Sequence, residues 1–190
     1  MAPMIAAGAN RSIALNVGLS RQDWWCLLAG MMALGLLLLW LLSLGRPLVC
    51  TCGTVRLWAP TQDSQQLADW YSLLHVTFGL ALFALTRHFQ PHWPLAPVAL
   101  VALLGIVAWE AVENLPAVIA AFNPPGGPSY AGDTVLNAFG DTGFVIAGCL
   151  LAARSSRRSI LFAAGLIEVI VWNAIGDGLL VGTARLLVPA

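Results

Sequence analysis

The stretch "WWCLLAGMMALGLLLLWLLSL", residues 24–44, runs for twenty-one residues without a charge. About 20 apolar residues carry a helix across a bilayer core of about 30 Å. The stretch is therefore long enough to span, and its reading decides the fold.

The rest of the chain agrees. Its 190 residues are 59% hydrophobic and only 9% charged, with a mean hydropathy of +0.81. A soluble domain carries roughly 25% charged residues. This is the composition of an integral membrane protein, and the length suits one domain. The net charge is zero and the nine basic residues are all Arg, so nothing points to nucleic acid or an acidic partner. Four Cys are too few for a disulfide scaffold. Residues 1–23 carry Arg11 and Arg21 but no compact apolar core followed by a small-residue cleavage site. They read as a cytoplasmic segment before an uncleaved first span.

Four further spans are expected near 67–86, 95–121, 133–153 and 159–188. "GDG" (176–178) interrupts the last, which reads either as one tilted helix or as a helix plus a short sixth piece. The connections "GRP", "QPHWP", "NPPGGPSY" and "RSSRRS" carry turn chemistry. Only helices satisfy their own backbone in lipid without closing a barrel, and these runs are too long for barrel strands. The expected architecture is all-α: a polytopic membrane helix bundle of about five transmembrane helices, a single membrane domain over 24–188. No internal repeat is visible.

Arginines near helix ends set orientation. With the N-terminus inside, Arg11, Arg21, Arg87, Arg154, Arg157 and Arg158 are cytoplasmic, and Arg46, Arg56 and Arg185 lie outside. Six against three favours that arrangement. Trp24, Trp25, Trp58, Trp70 and Trp93 fall near interfaces, as aromatic belts do.

On this topology the polar residues share one depth. Asp69 opens the second span, and His75 lies six residues further in, about 9 Å by helical rise. Glu110, Glu113 and Asn114 occupy the outer half of the third. Asp133, Asn137 and Asp141 mark one face of the fourth at i, i+4, i+8. Glu168 falls mid-membrane in the last, with Asn173 and Asp177 above it. A charge at a helix centre costs on the order of 2.5–3.5 kcal/mol on insertion scales. These groups must face each other or a wet cavity, or carry protons. Asp69, His75, Glu110, Glu113 and Asp141 are the candidate catalytic groups. Asn114, Asp133, Asn137 and Asp177 are the candidate substrate-binding groups. The competing reading is helix glue, at roughly 0.6–2 kcal/mol per hydrogen bond.

His75 has three readings: a hydrogen-bonded core residue, a general base, or a metal ligand beside carboxylates, for Mg, Mn or Zn. The sequence names no cofactor. Cys50 and Cys52 of "CTCG" (50–53) lie in an outer loop and could bridge, bind metal or stay free. Cys26 and Cys149 read as inert apolar residues.

The blocks "GRPLVCTCGTVRLW" (45–58), "SQQLADWYSLLHVTFG" (64–79), "WEAVEN" (109–114), "GDTVLNAFGD" (132–141) and "IEVIVWNAIGDGL" (167–179) occur in an order that resembles a family of bacterial inner-membrane proteins, domain of unknown function 2585. The resemblance runs from about Gly45 to Pro189 and implies membership without an activity. The family pattern has His at Gln66, Ser at Leu74 and a second His at Phe78, and an Arg just before Asp177. A His-rich site, if the family has one, is depleted here. A weaker, fold-level similarity is to VanZ-like membrane proteins, whose order "DWYSLLH", "WEAVEN" and "DTVLN" imitate. It points loosely to envelope substrates.

Three functions follow. The first is an envelope enzyme or binding protein acting on a lipid-linked or amphipathic substrate at the outer leaflet, with membrane lipid around it. The second is a structural or assembly subunit. The third is a transporter or proton relay, disfavoured because polar groups thin out in the inner half and no inverted repeat appears. No G-x-S-x-G, H-E-x-x-H or P-loop motif is present.

Overall fold

A computed structural model describes residues 18–123 and 130–187. Arg11 and residues 188–190 lie outside the described residues. All regular structure among the described residues is helical: α1 (Arg21–Ser43), α2 (Trp70–Phe89), α3 (Leu95–Glu113), α4 (Pro116–Ala121), α5 (Val135–Ala152), α6 (Arg157–Ile175) and α7 (Leu179–Leu187). Five of them, α1, α2, α3, α5 and α6, are long and apolar enough to cross a membrane.

Short polar signals set the helix starts. Ser20 accepts from the Asp23 amide while the Asp23 carboxylate accepts from the Ser20 amide, a capping box. Asp69 and Ser72 do the same for α2. Thr134 and Ser156 accept from the Asn137 and Ser159 amides.

Two of the long apolar runs break. The run over 95–121 divides into α3 and α4, because Pro116 takes the first helical position of α4 and holds Leu115 extended. The run over 159–188 divides at Gly176, which closes α6 at φ 66°. That is the helix-plus-short-piece alternative.

The helices α2 and α5 form the centre. A β-carbon at Gly79 would stand 2.0 Å from the Val145 carbonyl oxygen, and one at Gly148 would stand 2.2 Å from that of Val76. Small residues let these two backbones meet, the usual device where lipid offers no hydrophobic drive to associate. Leu80, Phe83, Val98, Ile106, Val145 and Ile160 fill the core joining α2, α3, α5 and α6. Leu37, Leu41, Val135 and Ala138 join α1 to α5. The exterior is apolar: Met31, Met32 and Leu39 of α1, and Leu161, Phe162 and Trp172 of α6, are exposed. An apolar shell around a partly polar interior is what lipid selects.

The helix directions put the ends of α1, α3 and α6 with the starts of α2 and α5. Backbone bonds confirm this common end: the Val135 amide donates to Pro47, Leu136 to Leu48, and Thr134 to Ser64. Arg46 and Arg56 lie at this end, and Arg21, Arg87, Arg154, Arg157 and Arg158 at the other.

Candidate functional site

The common end holds two layers of polar groups. The upper layer is a hydrogen-bonded clamp. The Asp69 carboxylate accepts from the Ser64 amide at 2.6 Å and the Tyr71 amide at 2.8 Å. Burial nevertheless pushes its carboxyl up to about 6. Asn114 grips Asp133 through two hydrogen bonds, and the Tyr130 hydroxyl donates to the same carboxylate at 2.9 Å. Arg46 reaches from the α1–α2 connection to donate to the carbonyls of Ala131 and Asn114. Asn137 donates to the Gln66 carbonyl at 3.0 Å.

Gln66 organises that connection. Its side chain accepts from the Arg56 amide and donates to the Thr54 carbonyl and to Gln62. It is fully buried, so this amide serves as a loop anchor. Phe78 packs on the apolar core and Leu74 is buried. Cys50 and Cys52 are joined in a disulfide. The bridge borders a surface hollow with Gln62, Asp63, Gln65 and Ala131. Within it, burial and the nearby Asp177 carboxylate push the Asp63 carboxyl up.

The lower layer is different. His75 of α2, Glu110 and Glu113 of α3, and Asp141 of α5 meet inside the bundle. Single ligand atoms of His75, Glu110 and Glu113 lie within 4.8 Å of one another. The Asp141 carboxylate stands 3.4 Å from His75 Nε2. Glu110 is 1% exposed, and neither of its carboxylate oxygens has a hydrogen-bond donor. One oxygen of Asp141 is likewise buried and without a donor.

A family described as "Protein of unknown function (DUF2585)" matches residues 41–190. The chain belongs to this family. The chain is similar to a UPF0314 protein of Sphingopyxis alaskensis, 34% identical over 90% of this chain and 93% of that protein. A UPF0314 protein of Paracoccus denitrificans is 37% identical over 80% of this chain and 81% of its own. One from Brucella anthropi is 34% identical over 79% of each. No solved structure matches.

The structure thus sorts this family member's expected site residues into two sets. His75, Glu110, Glu113 and Asp141 form the lower layer. Asp69, Asn114, Asp133 and Asn137 build the clamp over it. Asp177 joins neither: it lies between α6 and α7, accepting from the Tyr71 hydroxyl at 3.2 Å and the Gly178 amide at 2.8 Å. Glu168 also stands apart, accepting from the Leu179 and Leu180 amides at 3.1 Å each and so closing the start of α7. Asn173 donates to the Val169 carbonyl of its own helix. Sequence reasoning missed the roles of Gln66, Arg46 and Tyr130. For Arg46 a signal existed: an Arg immediately after a span that ends beside a carboxylate cluster.

Proposed function

We propose that this protein is a multi-pass protein of the bacterial inner membrane, N-terminus cytoplasmic. In this reading His75, Glu110, Glu113 and Asp141 form a site near the outer leaflet that binds or processes a lipid-linked envelope substrate. One observation carries it: Glu110 is buried among other carboxylates with both oxygens lacking donors. Desolvating such a group is costly, and membrane interiors keep ionisable groups where they act.

Two features support the finer points. The Arg-rich end lies opposite the cluster, which favours a cytoplasmic N-terminus and an outward-facing site. The shell is apolar, so a substrate entering from the side would arrive already dissolved in the membrane. His75, Glu110 and Glu113 would form the reacting centre, Asp141 would hold the His75 ring, and Asn137 would orient polar substrate groups.

The test compares Glu110→Gln, Glu113→Gln and Asp141→Asn in a deletion strain challenged with envelope stress. Loss of complementation at normal membrane levels supports a site. Full complementation, or loss only through failure to accumulate, overturns it in favour of a structural subunit.

A further inference from the structure

The lower layer offers one imidazole and two carboxylates from two helices, converging on a point inside the bundle. Ligand atoms of His75, Glu110 and Glu113 lie within 4.8 Å of each other. Carboxylates gather on proteins for many reasons, and this alone would mean little. The second observation is independent of the clustering: Glu110 is 1% exposed and neither of its oxygens meets an N–H or hydroxyl donor, the polar side chain beside it being the Asp133 carboxyl. Its neighbours are acidic as well, with Asp133 and Asp141 close by. The basic group nearest the clamp, Arg46, is directed to the Ala131 and Asn114 carbonyls.

We propose that His75, Glu110 and Glu113 bind one divalent first-row cation, Zn2+ or Mn2+. The inference rests on the reading of the lower layer as a site, and it names what the site holds. Two positive charges placed there satisfy the Glu110 oxygens that no protein donor reaches. Metal-ligand bonds of about 2.0–2.2 Å bring ligand atoms to within roughly 3–4 Å of each other, a small closure from the present arrangement. Imidazole selects against Ca2+ and Mg2+, which take oxygen ligands, while the carboxylates suit Mn2+ and Zn2+. Three protein ligands leave coordination positions open, the pattern of a catalytic rather than a structural metal. Asp141, 3.4 Å from His75 Nε2, is a positioning residue that holds the ring from α5. The alternative is a set of shared protons with no ion.

The experiment uses the full chain in detergent, freed of any affinity tag, stripped with chelator and then dialysed against Zn2+ or Mn2+. About one tightly held ion per chain is expected by elemental analysis. Glu110→Gln, Glu113→Gln and His75→Gln each weaken binding at least tenfold, while Glu168→Gln binds like the native protein. Should the variants fail to fold, X-ray absorption of the Zn2+-loaded native protein reads the site directly. It should show one imidazole nitrogen and carboxylate oxygens near 2.0–2.2 Å. A native protein that takes up no ion, or takes it up equally in all variants, or shows no nitrogen ligand, overturns the proposal and leaves shared protons. Failure here is separable from failure of the functional reading. Metal-free protein whose Glu110→Gln variant still loses complementation keeps the site and loses the ion. Tight metal with full complementation does the reverse.

Discussion

Asn114 and Asp133 hold each other through two hydrogen bonds: the Asn114 side-chain amide nitrogen donates to the Asp133 carboxylate at 2.6 Å, and the Asp133 backbone amide donates to the Asn114 side-chain oxygen at 3.0 Å. The pair fastens the last turn of α3 to the entrance of α5. It thereby fixes Glu110, one turn below Asn114, against Asp141. A neutral group that donates from one atom and accepts at another is needed, and the Asn carboxamide supplies both.

Asn114→Leu should therefore leave the Asp133 carboxylate and amide buried without that partner. The expected loss is about 2–4 kcal/mol, read as a lower melting temperature in detergent. Asn114→Asp places a carboxylate against Asp133 and should be at least as damaging. Native melting of Asn114→Leu would show that the clamp carries no stability.

The pH response of the upper layer has a definite sign. Burial raises the Asp69 carboxyl from 3.8 to about 6 in the folded state. Between those values the folded chain holds a proton the unfolded chain has lost. Stability from this group is present below the unfolded value and falls as pH rises through about 6, by on the order of 2–3 kcal/mol. Asp69→Asn keeps a good N-cap and cannot titrate. Its melting temperature should fall less between pH 4.5 and 7 than that of the native protein, and identical slopes would assign the titration elsewhere.

The centre of the bundle is sensitive to single methyl groups. At Gly79 a new β-carbon meets the Val145 backbone oxygen, which has no flexible end to yield. Gly79→Ala should push α2 from α5 and cost about 1–3 kcal/mol, with Gly79→Val worse. Gly35, whose β-carbon position meets nothing within 4 Å, is the control: Gly35→Ala should be neutral or stabilising. Equal effects at both positions would contradict the close approach.

The spans were legible because a run such as 24–44 has one physical solution in lipid. The buried polar set was legible for the same reason: Glu110, Asp133, Asn137 and Asp141 are charges or amides inside apolar runs, and each is buried. The division of that set was not. Whether a carboxylate accepts backbone amides, as Asp69 does, or faces other carboxylates, as Glu110 does, depends on how separate helices meet. Spacing within one helix carries no record of that. The break at Pro116 and the choice at Gly176 needed the chain's return path as well.

Glu168 shows the same limit and yields the last prediction. Read along its helix it was a charge in mid-membrane. In the fold it receives the Leu179 and Leu180 amides, donors that the start of α7 would otherwise leave unsatisfied. Gly178 permits this, since a β-carbon there would lie 2.5 Å from a Glu168 carboxylate oxygen. Glu168→Ala should cost about 1 kcal/mol, as other lost helix caps do. Amide exchange at Leu179 and Leu180 should quicken, with the lower layer unchanged. Glu168→Gln keeps one acceptor and should fall between. Unaltered exchange in Glu168→Ala would mean that α7 is held by its packing alone, and that Glu168 is in the bundle for some other reason.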